Sequence, residues 1–377
     1  MDNVAPNRDV INNLFISSDF RINGELISTI PQYQAECAIM KTRLVKPVTF
    51  VQNFMHDSNY LDWSFANRKN DIIQDSTLGT LTRQAGVVEL YAISPLAIYD
   101  LPHAICGEGD YELTMFVNQN YKIECVETIP PILFPPPAGS NANLFALQEM
   151  YYYNCIVTAP SLVNEEYVMS FMDIKCRKEQ LNGGGGNTQS INFEIDKDTR
   201  FVSVAFQDKR VGSSSNYSKT FFSVGGASGA DGNALGDEMK LKQIMINYKN
   251  INRPLVERDL QFVNKVNNTS PGVDFTGRLY MENVLTSNKY YMHDSPESLE
   301  VFHVGGPYYH FDTSYNPNNE TSNNLQVTAQ FYANQLQNPA TPLDTSTINM
   351  LLFEHIKKDY RVKIDKDGRI SSIKRLN

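Results

Sequence analysis

The sequence has little of what most site-based functions require. It holds one tryptophan, Trp63, six histidines and five cysteines in 377 residues. The cysteines (Cys37, Cys106, Cys125, Cys155 and Cys176) are odd in number, dispersed and free of any CxxC pair. That spacing excludes a thiolate zinc knuckle and a disulfide framework, and reads as reduced, mostly buried thiols of a chain made in a cytosol. No apolar run approaches the length of a membrane span. The segment from Met1 to Val10 is polar and lacks the apolar stretch of a secretory signal, so the sequons at Asn216, Asn267, Asn268 and Asn319 are read as accidental.

Positive charge is scarce except at one end. The net charge is −9, yet the stretch from Lys357 to the C terminus carries eight basic residues against three acids. That tail is +5 and leaves the rest of the chain at −14. An acidic body excludes a dedicated nucleic-acid binder. The tail reads first as a solvated hairpin, and second as a contact for an acidic neighbour or for nucleic acid.

What is abundant is aromatic and β-branched. There are 20 Phe and 20 Tyr, with Asn, Gly and Pro between short runs, the texture of many short strands and turns. Length alone favours two domains. Glu36 to Phe54 and Gly86 to Tyr99 read as long β-rich runs, and Tyr111 to Val117 alternates with the two-residue period of a strand. A proline-dense loop (Pro130, Pro131, Pro135, Pro136, Pro137) follows, and Leu144 to Ala159 reads as the closing strand of a first module.

Leu162 to Leu181 shows helical spacing through Val163, Tyr167, Phe171 and Ile174. Its charge order matches a helix dipole, with Glu165 and Glu166 first and Lys175, Arg177 and Lys178 last. The glycine run Gly183 to Gly186 stops it. These features set the expected domains: residues 1–160, a linking helix and glycine loop over 161–186, and residues 187–377 with a hairpin tail. In the last part Val202/Val204/Phe206, Ile244/Ile246/Tyr248 and Leu325/Val327/Ala329/Phe331 each share a strand face. Asp365 to Gly368 is an Asp-Gly hairpin turn between Arg361–Ile364 and Arg369–Ile373. The expected fold is all-β, two tandem sandwiches joined by a short helix.

Motifs that would carry chemistry fail on their spacing. Gly212 to Thr220 ends in Ser218-Lys219-Thr220, but Ser218 stands where a phosphate loop needs glycine. Asp231 to Gly236 opens like a calcium loop, but Leu235 takes a ligand position and Lys242 stands where a bidentate glutamate belongs. Met-His-Asp-Ser occurs at Met55 to Ser58 and again at Met292 to Ser295, and adjacent residues of an extended chain cannot converge as a triad. His303 and His310 flank a Gly-Gly-Pro turn and are candidates for approach, without further metal ligands in view. No catalytic, cofactor-binding or metal residue is therefore assigned. The rival readings are an enzyme using His303, His310 or Asp294, and a sugar- or receptor-binding protein with Tyr308, Tyr309 and Tyr315 as an exposed platform.

The order of features has a counterpart. A β-rich module closing with Phe145 to Ala159 is followed by a polar helix from Asn164 to about Leu181, a glycine break, and new strands at Ile191–Ile195 and Arg200–Phe206. The chain ends with Leu325–Ala333, Ile348–His355 and the Ile364-Asp365 hairpin. This layout resembles the major capsid proteins of the Polinton, virophage and adintovirus group of DNA viruses, which are double jelly-rolls of two eight-stranded sandwiches. The resemblance implies a homotrimer with a pseudo-hexameric outline, tiling an icosahedral virion shell after synthesis in the host cytoplasm. It implies neighbouring capsomers and penton and minor capsid proteins as partners, Met1 to Asn13 and the basic tail as arms, and no cofactor. A penton, spike or sugar-binding sandwich is the alternative.

Overall fold

The computed structural model describes residues 4–6, 10–45, 73–74, 84–85, 90–92, 94–96, 98, 107–121, 125–128, 148–151, 165–182, 188–208, 241–255, 262–263, 274–275, 309–314, 321–331 and 348–376. The described elements are antiparallel β-strands with two helices.

The N-terminal elements begin with β1 (Val4–Pro6), the single helical turn α1 (Val10–Asn13), β2 (Phe15–Ile22) and β3 (Glu25–Ile30). Asn23 and Gly24 both take positive φ, 50° and 81°, in the two-residue turn that joins β2 to β3. Helix α2 (Gln34–Val45) follows. Then come β4 (Ile73–Gln74), β5 (Gln84–Ala85), β6 (Tyr111–Val117) and β7 (Val126–Thr128). They form a three-stranded sheet β3-β2-β6 and the short pairs β1-β7 and β4-β5.

The remaining strands are β8 (Glu166–Gln180), β9 (Thr188–Glu194), β10 (Thr199–Asp208), β11 (Leu241–Tyr248) and β12 (Ile251–Leu255). After them lie the minor hairpin β13 (Phe262–Val263) and β14 (Asp274–Phe275), then β15 (Tyr309–Asp312), β16 (Asn324–Phe331), β17 (Ile348–Ile364) and β18 (Ile370–Leu376). Setting aside β13, β14 and β18, the pairs are nested. The first strand, β8, pairs the last, β17; β9 pairs β16; β10 pairs β15; and β11 pairs β12. Rolling that long double hairpin adds β10 beside β17 and β11 beside β16. The products are two sheets, β8-β17-β10-β15 and β9-β16-β11-β12, which is the eight-stranded jelly-roll.

The core between these sheets follows the alternation of the strands. Val202, Val204 and Phe206 of β10, Ile244, Ile246 and Tyr248 of β11, and Leu325, Val327 and Ala329 of β16 are buried together with Met350 and Leu352 of β17. On the other face of the β17 sheet, Leu351 and Phe353 join a second core with Ala205, Phe171 and Cys176 and with the N-terminal residues Ile22, Ile27, Ile39 and Met40. The sheet containing β17 is thus the middle of three layers. That explains why Ile348 to Ile356 is buried without a break: a strand covered on both faces cannot alternate. Cys37, Cys125 and Cys176 are buried thiols.

Two expectations from the sequence are corrected. The linking helix over 161–186 is, in its described part, strand β8, hydrogen-bonded to β17 from Glu166 to Gln180. Val168, Ser170 and Met172 are exposed while Met169, Phe171 and Asp173 are buried, so the effective period is two and the helical spacing was coincidental. Conversely, Gln34 to Val45, inside the expected β-run from Glu36, is helix α2. Its residues Ala35 to Lys41 are buried in succession, so the helix has no single apolar stripe to betray a 3.6-residue period. The segment from Gly86 to Tyr99 shows no strand among its described residues. The proline-dense loop, the glycine run and most of Leu144 to Ala159 lie outside the described residues.

The termini are not free arms where they are described. β1 pairs β7, and Val10 and Asn13 are buried. The basic tail is the expected hairpin: Asp365 Oδ1 accepts from the amides of Asp367 and Arg369, both at 2.9 Å, and β18 returns along β17. Gly107 packs on that hairpin at φ 121°, where an added Cβ would stand 2.5 Å from Ile370 Cγ1. Beside it, Glu108 and Ile370 are tied by an amide-to-carbonyl bond of 2.8 Å.

Candidate functional site

The polar residues that could do chemistry are gathered on the middle sheet. The first group spans three strands. Ser203 Oγ of β10 lies 2.6 Å from His310 Nδ1 of β15 and 2.9 Å from His355 Nε2 of β17. Phe201 stacks on His355 with ring centroids 3.9 Å apart and 14° between planes. Burial pushes His310 down to about 4. Burial also holds His355 well below its ordinary range, with His310 adding a smaller repulsion. Both rings are thereby kept neutral, so the Ser203 hydroxyl bridges them by accepting from one imidazole and donating to the other.

A serine held by histidines has the outline of a nucleophile and its base. Here the hydroxyl is 0% exposed, so no substrate reaches it. The bridge ties β10, β15 and β17 together.

The second group centres on Glu354, fully buried on β17. Its carboxylate accepts from Arg177 Nε of β8, from the Asp196 amide at 2.8 Å and from Thr199 Oγ1 at 3.5 Å. The third joins the jelly-roll to the N-terminal layer. Lys358 Nζ lies 2.6 Å from Asp173 Oδ2 and donates to the Ile27 carbonyl at 3.2 Å. Ser28 Oγ donates to the other Asp173 oxygen, and the Tyr360 hydroxyl donates to the Ile27 carbonyl at 3.2 Å. Glu354, Asp173 and Lys358 therefore each have an opposite partner and further hydrogen bonds, the condition under which such pairs persist.

Among the described residues, no group of three His, Cys, Asp or Glu side chains is placed to hold a metal ion. Of the residues singled out from the sequence, His310 is described and faces Ser203 and His355. His303, Asp294, Tyr308, Tyr315, both Met-His-Asp-Ser strings and the loops at Gly212 to Thr220 and Asp231 to Gly236 lie outside the described residues. Tyr309 is 6% exposed and belongs to the core between the sheets, so it forms no part of an exposed aromatic platform. The clusters around Ser203, Glu354 and Asp173 have no counterpart among the sequence motifs. Their signal was polar residues inside a buried run, Phe353-Glu354-His355, which only the sheet contacts convert into partners.

No family model matches the sequence, and no curated protein matches it. Among solved structures, the chain is similar to the PBCV-1 virus capsid in a quasi-atomic model, with a TM-score of 0.39 and 10% identity over 98% of this chain and 87% of that one. It is similar to PBCV-1 VP54 fitted into a reconstruction of the virophage Sputnik, with a TM-score of 0.42 and 8% identity over 100% of this chain and 87% of that one. It is also similar to the mavirus major capsid protein, with a TM-score of 0.40 and 11% identity over 100% of this chain and 79% of that one.

Proposed function

We propose that the chain is the major capsid protein of an icosahedral DNA-virus shell, a structural subunit that works as a homotrimer with a pseudo-hexameric outline. The observation that carries this reading is the nested strand pairing of β8 to β17, with the outer face of its β17 sheet covered by a second, N-terminal β layer. The layout also has the resemblance to double jelly-roll capsid proteins drawn from the sequence. Two sandwiches in one chain give a trimer six similar wedges, and closed packing around the axis covers strand edges that otherwise template aggregation. Residues 1–160 form the first sandwich of the proposal. The second opens with β8 rather than after the glycine run.

The function lies in surfaces and not in a reaction. The partners are two further copies, neighbouring capsomers, and penton and minor capsid proteins, and the site of action is the virion, after synthesis in the host cytoplasm. The basic tail contributes a contact. Arg361 and Lys374 stand opposite each other across β17 and β18, a like-charge pairing that costs stability unless an acidic group meets it. Arg361 is partly answered by Glu166 at 3.1 Å, and an acidic neighbour or the genome answers the rest.

Native mass spectrometry of the purified chain tests the reading: a species of three chain masses is expected, and a monomer under every condition overturns it. The tail is tested by Lys363→Glu with Lys374→Glu rather than by truncation, because removing residues from Arg369 onward would delete β18 and buried Ile370. Unchanged assembly of that variant would remove the tail from the interface.

A further inference from the structure

The outward face of the β9-β16-β11-β12 sheet is short of charge. Across its four strands, Asn192, Gln326, Asn247 and Asn252 stand in one cross-strand row. The next row is Ser190, Thr328, Met245 and Pro254, and beyond it Thr188, Gln330 and Gln243. Among the described residues of these rows, Glu194, opposite Asn324 at the end of β9, is the charged one. A solvated sheet face is ordinarily about 25–35% Lys, Arg, Glu and Asp. A row of four amides in their place needs a reason.

At the end of the sheet this row borders a shallow hollow of about 260 Å³, lined by Asn192, Asn247, Lys249, Asn250, Ser322, Asn324 and Gln326. Lys249 and Asn250 form the two-residue turn between β11 and β12 and both take positive φ, 51° and 60°. Such a turn ordinarily ends in glycine. Here two long polar side chains are held at backbone angles that cost them free energy, and both line the hollow.

We infer that this hollow is a binding site for a neutral glycan. Each amide offers a carbonyl acceptor and an N–H donor a short distance apart, the pair that two neighbouring sugar hydroxyls require. Asn247 Nδ2 donates to Asn252 Oδ1 at 2.6 Å, and this bond along the amide row holds the two side chains in a fixed orientation. The one cation of the lining, Lys249, has its ammonium over the Tyr248 ring, 4.9 Å from its centre, and the amides that make up most of the remaining lining make hydroxyls the matching chemistry. The volume is just below the range of drug-sized pockets and suits one sugar ring. A single site of this kind binds weakly, and repetition over an assembled surface multiplies the affinity. In the shell proposed above this would be an attachment function, and it does not depend on that proposal.

The test uses the purified full chain on immobilised neutral oligosaccharides ending in glucose, galactose, mannose or N-acetylglucosamine, with sialylated and sulfated sugars alongside. At least one neutral sugar is expected to be retained, and Gln326→Ala is expected to weaken it tenfold or more with an unchanged melting temperature. Asn192→Ala, on the neighbouring strand, is the second variant if the first melts early, and Thr188→Ala, two rows away, is expected to bind normally. Retention of no neutral sugar overturns the inference, as does retention of anionic sugars alone or binding that survives both variants. A Gln326→Ala chain that changes oligomeric mass also overturns it, since the face would then be an interface between copies.

Discussion

Acidification is expected to loosen the middle sheet through the bridge at Ser203. His310 is held near 4 by burial, against 6.5 for an unburied imidazole. Between those two values the unfolded chain binds a proton that the folded chain refuses. Stability is therefore fully present above about pH 6.5, falls as pH drops through the window, and levels off below about pH 4. For His310 alone the loss between about pH 7 and pH 5 works out to about 2 kcal/mol. His355 is lowered in the same direction, so it adds to that loss. Protonating the ring that accepts turns its nitrogen into a donor, which leaves the Ser203 proton without its acceptor.

The assay is urea unfolding at the two pH values for the wild type and for His310→Gln. Titration of surface carboxylates is common to both proteins and cancels in the difference. The variant should be the less stable at neutral pH, and its pH-dependent loss should be smaller than the wild type's by about 2 kcal/mol. A wild-type-to-variant difference that stays constant between the two pH values would refute the reasoning.

Other positions give sharper mechanical tests. Phe353→Ala removes a fully buried ring from the core between the middle sheet and the N-terminal layer and should cost about 3–5 kcal/mol in urea unfolding. Asp173→Ala leaves the Lys358 ammonium buried with the Ile27 carbonyl and should cost about 3–5 kcal/mol, whereas Asp173→Leu with Lys358→Met should be far milder. Calorimetry of the single and double variants separates the two outcomes. Gly107→Ala places a methyl against Ile370 at a positive φ. It should lower stability by about 1–3 kcal/mol, and an unchanged melting temperature would show that the β17–β18 hairpin is not held there.

The jelly-roll half of the chain was legible because its strands bury one face each. β16 reads directly as Leu325, Val327, Ala329 and Phe331 inward, and β18 is announced by the Asp365 to Gly368 turn. Legibility failed where a segment is covered on more than one side. Helix α2, buried in succession from Gln34 to Lys41, has no periodic stripe, and its sequence reads as a strand. Strand β8 carries Asp173, Cys176 and Lys178 toward N-terminal partners, and those inward polar residues disguised its period of two as a helix with a well-placed dipole. The polar clusters were illegible for a related reason. Ser203, His310 and His355 stand up to 152 residues apart, and only the pairing of β10 with both β15 and β17 brings them together. The amide row depends in the same way on register, which places Asn192, Gln326, Asn247 and Asn252 side by side although nothing in their local sequences links them.

The proposed role of this chain is that of a shell subunit. Electron microscopy of the purified protein, imaged as single particles at neutral pH, tests it most directly. Threefold particles with a hexagonal outline are expected, in which three chains supply six similar lobes. Particles of one chain only, or oligomers without threefold symmetry at every concentration tried, would contradict it.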